Sequence, residues 1–324
     1  DVERSRGLGD VYKRQIEAFL DLVQAGRDQG RPPMHEMSAS QARQDYDQSA
    51  RMLDSCPVDL DDVRDVEIPV RDGARIGARL YRHAAGVRPA LLYFHGGGYC
   101  VGGLDSHDAL CRDLALRSGC AVLAAAYRLA PGHRFPTAFE DAVDSHAWLR
   151  GQAPVLGLDA ARIAVGGDSA GGTLAAALCL AIRDAGQPQP LLQVLLYPCT
   201  SARQDSDSHQ RYAQGHLLEG DTLQWMFANY LRDDADRRDW RFAPLEAADL
   251  RGLAPALVAL PEYDPLHDEG QAYARRLREA GVPVDLRVYP GMIHDFARLA
   301  DVAPDTGQVR RDVARALHSV LIGP

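Results

Sequence analysis

The sequence predicts an α/β protein, a mostly parallel eight-stranded sheet with helices on both faces and a helical cap, and three observations carry that reading. Beyond about residue 90, short apolar and β-branched runs alternate with longer helix-forming stretches. That alternation implies parallel strands joined by covering helices. From Arg162 to Asp184 a strand, a glycine-rich turn and a helix follow one another without a spacer, as RIAVGGDSAGGTLAAALCLAIRD. Finally, Cys199 to Asp249 carries no strand pattern but holds Trp225, Phe227, Tyr230 and Trp240 among many charges. A connection so long inside a compact domain is expected to be an insertion with helices of its own, here the second part of a cap.

In chain order, residues 1–15 (DVERSRGLGDVYKRQ) stand apart, because Lys13 is the only lysine of the chain. They read as an appended leader and are set aside from the fold. Ile16 to Val23 has apolar residues at the i, i+3, i+4, i+7 spacing of an amphipathic helix, broken at Gly30 to Pro33. A second helix is expected from Ser40 to Met52, and residues 16–62 together read as N-terminal cap helices ahead of a core over 63–324. Val63–Val70 and Ala74–Tyr81 alternate around an Asp72-Gly73 turn and predict an antiparallel pair. Strands are then expected at Ala90–Phe94, Ala121–Tyr127, Arg162–Val165, Leu191–Tyr197, Pro255–Leu260 and Val284–Tyr289. Helices are expected at Asp108–Ser118, Thr137–Arg150, Gly171–Ala185, His267–Ala280 and Thr306–Leu321.

With 324 residues, 46% of them hydrophobic, the chain can bury a large core. A net charge of −9 disfavours a nucleic-acid partner, which needs a basic face. The cysteines (Cys56, Cys100, Cys111, Cys120, Cys179 and Cys199) form no C-x-x-C pair and no zinc spacing, and several lie in apolar runs. A reducing, cytoplasmic setting is expected, with no membrane span and no signal peptide.

Gly167-Asp168-Ser169-Ala170-Gly171 fits the G-x-S-x-G elbow, a strained turn that presents a serine hydroxyl at the sheet edge. The following helix aims free N–H groups and its positive dipole end at the same place. A phosphate loop would need lysine where Gly172 stands, so that reading is discarded. A serine hydroxyl needs a histidine to take its proton, and the histidine needs an acid to hold its tautomer. In a fold built on such an elbow the order is serine, acid, histidine, the last two in loops after later strands.

Asp264 follows the run ALVAL and His294 follows LRVYPG, so both are expected at the edge where Ser169 sits. Asp268 competes with Asp264 but belongs to the next helix start. His267 and His318 fall on expected helices, and His133, His209 and His216 in polar loops. His95-Gly96-Gly97-Gly98-Tyr99 follows a buried strand and fits an HGGG loop whose N–H groups face a developing oxyanion. Asp205, Asp207 and His209 lack the glycine and terminal glutamate of a calcium loop and read as a solvated polar face. No metal and no cofactor is expected.

Together, HGGGY (95–99), YRLAP (127–131), GDSAGG (167–172), DPLHDEG (264–270) and YPGMIHDF (289–296) resemble the hormone-sensitive lipase family of alpha/beta-hydrolases, family IV of the bacterial esterases. The resemblance runs from about Pro32 to the last helix. It implies an alpha/beta-hydrolase fold with Ser169 as nucleophile, His294 as base, Asp264 as the orienting acid, and the N–H groups of Gly97, Gly98 and Ala170 as the oxyanion hole. It also implies a cap around Pro32 to Met52, and a homodimer is among the arrangements its members adopt. Three positions depart from the family pattern: Gly132 stands where glutamate is usual, Asp295 where glycine is usual and His267 where arginine is common.

The expected activity is cofactor-free hydrolysis of short- to medium-chain carboxylic esters through an acyl-enzyme. An amidase or lactonase would use the same groups. A non-catalytic receptor of the same fold is the other class, and such relatives have typically lost the histidine or the acid.

Overall fold

The computed structural model describes residues 2–55, 58–303 and 306–323, with side chains from residue 14 onward. Helix α1 spans Val2–Asp28, so residues 2–15, set apart on composition, continue into the same helix as the expected stretch at 16–23. Gly30, at φ 92°, turns the chain out of it, its N–H returning to the Arg27 carbonyl at 2.8 Å. Helix α2 (Ala39–Leu53) begins one residue earlier than expected. Ser38 is the cap: its Oγ accepts the Gln41 N–H and its own N–H donates to Gln41 Oε1, a reciprocal capping box.

β1 (Asp62–Pro69) and β2 (Arg75–Arg82) form the expected antiparallel pair around Gly73. β3 (Arg88–Phe94), α3 (Asp108–Ser118), β4 (Ala121–Ala125), α4 (Thr137–Leu156), β5 (Leu158–Asp168), α5 (Ala170–Asp184) and β6 (Gln193–Leu196) follow in alternation. The insertion carries α6 (Asp207–Arg211) and α7 (Gly220–Tyr230). β7 (Ala256–Tyr263), α8 (His267–Glu279), β8 (Val284–Ile293) and α9 (Gly307–Leu321) complete the chain.

The eight strands make one sheet in the order β1-β2-β4-β3-β5-β6-β7-β8. β2 pairs antiparallel with both β1 and β4, and every later pairing is parallel. Side chains alternate across it, as they must on a pleated strand. Ala90, Leu92 and Phe94 of β3 pack with α4, α5 and α8, while Leu91 and Tyr93 pack with α3 and α9. Phe227 and Tyr230 of α7 are buried in the first of these cores, where Tyr230 stacks on Tyr99 with centroids 3.9 Å apart. These insertion aromatics therefore hold the insertion onto the sheet. The N-terminal helices meet it too, through Arg27 to Glu219 (2.7 Å) and His35 to Thr222 (3.3 Å). Among the described residues no helix is long and apolar enough to cross a membrane.

Register places the site. Phe94 pairs with Gly167 across β3 and β5, which sets the loop after Phe94 beside the elbow after Asp168. Tyr263 pairs with Ile293 across β7 and β8, which sets Asp264 beside His294.

Candidate active site

Ser169 lies between the last residue of β5 and the first of α5, at φ 52° and ψ −121°. A side chain held there costs on the order of 1–3 kcal/mol and persists only where its surroundings impose it. They do so here by close approach. A Cβ on Gly167 would lie 2.3 Å from the Phe94 carbonyl oxygen, and one on Gly171 only 1.9 Å from it. The Ser169 N–H donates to the Leu196 carbonyl at 2.8 Å, and its own carbonyl accepts from Thr173. The hydroxyl is left to face the edge of the sheet.

His294 Nε2 stands 3.0 Å from Ser169 Oγ, and His294 Nδ1 stands 2.8 Å from Asp264 Oδ2. Asp264 is fully buried, and its other oxygen accepts the Leu266 N–H at 2.8 Å. Burial pushes the His294 pKa down, but the Asp264 carboxylate outweighs it, aided by Asp295 and Asp168, and the pKa is raised overall. The competing residues lie elsewhere. Asp268 accepts the Ser208 N–H, His267 faces the Pro261 carbonyl, His318 the Ser118 carbonyl and His216 the Gln214 carbonyl. His209 is turned to Ser206 and to Glu269, whose Oε2 is 3.1 Å away.

Gly97 and Gly98 have φ of 111° and 56°, a conformation open to glycine and strained for other residues. The Gly97 carbonyl accepts from Cys100 and Val101, while among the described residues the N–H groups of Gly97, Gly98 and Ala170 donate to no other group. His95 stacks on Tyr127 with centroids 4.3 Å apart, and burial, reinforced by His107, holds its pKa down at about 3.

Two clusters escaped the reading of the sequence. Asp168, fully buried, accepts from Tyr93 Oη (2.7 Å), Gly96 N–H (3.1 Å) and His107 Nε2 (3.2 Å). Burial alone would raise its pKa, but His107 and its hydrogen bonds hold it well below the usual carboxylate range. It thereby ties the elbow to the glycine loop. Arg298, also buried, gathers Asp295 and Tyr46. Asp295 and Arg298 are three positions apart, but the partners that complete each cluster, Tyr46 in one and Tyr93, Gly96 and His107 in the other, lie far away in the chain.

The family departures have plain structural readings. Asp295 adopts φ 70°, the left-handed conformation that glycine takes without strain, and its carboxylate turns to Arg298. Gly132 is exposed, and a Cβ there would meet only the Leu129 carbonyl at 3.7 Å, so a larger residue has room. Arg128 close by is already held by Asp72 and Asp141.

A mostly parallel sheet covered on both faces, with a serine elbow and a facing imidazole and carboxylate at its C-terminal edge, defines the class: an alpha/beta hydrolase. The family model for the alpha/beta hydrolase fold matches residues 91–298. The chain belongs to that family, within the hormone-sensitive-lipase-like esterases whose motifs it carries. It is 45% identical to an ethyl acetate hydrolase of Pseudomonas putida, over 94% of this chain and 98% of that one. It is 43% identical to the carboxylic ester hydrolase LipN of Mycobacterium tuberculosis, over 80% of this chain and 71% of that one. Among solved structures, an ester hydrolase from the metagenome of Lake Arreo, complexed with a bipyridine phosphonate derivative, superposes with a TM-score of 0.91 at 38% identity, covering 94% and 98% of the two chains. A thermostable esterase from Pseudomonas putida gives 0.89 at 34% identity, covering 95% and 97%.

Proposed function

We propose that this carboxylic ester hydrolase works through Ser169, His294 and Asp264. The observation that carries the proposal is the unbroken series from Asp264 Oδ2 through His294 to Ser169 Oγ, at 2.8 and 3.0 Å. His294 Nε2 takes the proton of Ser169 as Oγ attacks the ester carbonyl. Asp264 holds the proton on Nδ1 and stabilises the imidazolium. The N–H groups of Gly97, Gly98 and Ala170 receive the oxyanion, their dipoles aimed there before the charge appears. Nε2 then returns its proton to the departing alkoxide, and water repeats the sequence on the acyl-enzyme.

The name of the Pseudomonas relative supports short acyl chains as substrates. The N-terminal helices and the insertion of residues 199–250 form the cap over this edge. The five described cysteines are buried and unpaired, which supports a reducing compartment such as the cytoplasm.

The test is Ser169→Ala against the wild type. The variant should lose about 10⁶-fold in turnover of p-nitrophenyl acetate and all labelling by a fluorophosphonate. Near wild-type turnover or persistent labelling would sink the mechanism. A p-nitrophenyl ester series should peak at short to medium chains, and a maximum at long chains would remove the substrate assignment.

A further inference from the structure

Arg298 is a buried cation with a demanding set of partners. A guanidinium taken out of water and left unpaired is strongly destabilising, so its neighbours show what holds it. Nε donates to Asp295 Oδ1 at 3.2 Å, and one terminal nitrogen donates to Asp295 Oδ2 and, at 2.5 Å, to Tyr46 Oη. The other terminal nitrogen donates to the Ser106 carbonyl at 3.2 Å. The Tyr46 ring lies under the guanidinium, 4.6 Å from its carbon, and the Tyr46 hydroxyl also reaches Asp295 Oδ2 at 3.4 Å.

These partners come from three places that matter to the chemistry. Asp295 is the residue after His294, and its carbonyl closes the following turn by accepting the Arg298 N–H at 2.9 Å. Ser106 leads to the glycine loop: its Oγ is 2.9 Å from His107 Nδ1, His107 Nε2 is 3.2 Å from Asp168, and Asp168 accepts the Gly96 N–H. Tyr46 belongs to α2, outside the sheet. One guanidinium thus joins a helix over the site to the histidine turn on one side and to the loop beside the elbow on the other. The carboxylate that makes this junction stands where the family pattern has glycine.

We propose that Tyr46, Arg298 and Asp295 are positioning residues that make the placement of His294 depend on α2 being seated. The inference rests on the triad reading above. With α2 in place, Tyr46 and Arg298 hold the Asp295 carboxylate and so the turn that presents Nε2 to Ser169. With α2 displaced, Asp295 loses one partner and the turn gains freedom. The cost falls on the chemical step, because none of the three residues belongs to the triad or to the oxyanion hole.

The experiment compares the wild type, Tyr46→Phe, Asp295→Asn and their double variant on p-nitrophenyl acetate. Rates are expressed per site titrated with a fluorophosphonate, and folding is followed by circular dichroism and Tm. Tyr46→Phe keeps the ring under the guanidinium and removes only the hydroxyl. It should lower kcat about 5- to 30-fold, part of the worth of a hydrogen bond to a charged group, and leave KM unchanged. The double variant should lose less than the product of the single losses, since both act through one guanidinium. As a second arm, Asp295→Gly with Arg298→Met removes the junction, and adding Tyr46→Phe to that background should have no further effect on kcat. A lowered Tm with kcat per titrated site unchanged would make the cluster purely structural and overturn the proposal. So would a full Tyr46→Phe effect in the background that lacks the junction. Failure of the wild type to be labelled, or labelling of Ser169→Ala, would instead defeat the triad reading itself.

Discussion

Asp264→Asn separates the charge of the acid from its shape. Asp264 is fully buried between two donors, the Leu266 N–H on Oδ1 and His294 Nδ1 on Oδ2, each at 2.8 Å. An asparagine of the same shape has one accepting and one donating end. The Leu266 N–H claims the carbonyl end, because the amide NH₂ placed there would oppose donor to donor. The NH₂ therefore faces Nδ1, which must accept, and the ring proton moves to Nε2. Across the 3.0 Å to Ser169 Oγ the imidazole then offers a donor where the mechanism needs an acceptor. A wrong tautomer in intact geometry costs a serine hydrolase about 10⁴-fold in turnover, or about 5.5 kcal/mol of barrier. The assay is kcat on p-nitrophenyl acetate near neutral pH, with Tm and circular dichroism to show the fold retained. A folded variant within about 10-fold of wild type, a loss of only about 1.4 kcal/mol, would refute the assignment of Asp264. Asp268→Asn, which touches Ser208 and not the imidazole, is the matched control and should leave kcat unchanged.

Further expectations concern pH, the glycine loop and the elbow. Burial lowers the His294 pKa but Asp264 and its neighbours raise it further, so the imidazolium persists above its ordinary value of about 6.5. The base acts only when neutral, so kcat/KM should fall as pH drops, along a limb centred above about 6.5; a midpoint below that would contradict the raised pKa. Gly97→Ala would set a Cβ 2.2 Å from the backbone oxygen of Val101, whereas Gly98→Ala meets the movable end of Met226. Gly97→Ala should therefore lose about 10²- to 10³-fold in kcat, as when an oxyanion donor is removed, and Gly98→Ala less; the reverse order would contradict the placement of the loop. Asp168→Ala leaves the Tyr93 hydroxyl, the Gly96 N–H and His107 without their buried acceptor. Urea unfolding should show a loss of about 3–5 kcal/mol, and one below about 1 kcal/mol would contradict the pairing.

The residues whose meeting at the sheet edge was legible in the sequence are those with local signatures. Ser169 sits in a five-residue motif between a strand and a helix, and Asp264 and His294 each follow a strand run by a few residues. The boundaries were less legible. Ser38 and Ser40 both suit a helix start, and only the reciprocal bonds with Gln41 single out Ser38. α4 runs on to Leu156, past its expected end at Arg150, with Pro154 in its last turn. From pattern alone the aromatic residues of the insertion suit an apolar, covered pocket and a packed core equally, and Phe227 and Tyr230 are buried in the core. Asp168 was visible only as the variable residue of the elbow, because Tyr93, Gly96 and His107 lie 75, 72 and 61 positions away. Arg298 and Tyr46 are 252 positions apart, and no periodicity links residues at that distance.

The contact between Ser169 and His294 spans 125 positions. A closure of that length cannot precede the strands that bring its ends together. Helices form from neighbours, so a partly assembled chain would keep much of its far-ultraviolet signal while turning over no ester. Turnover is in that sense a stricter gauge of completed assembly than any spectroscopic average, and during refolding it should be the last property to return.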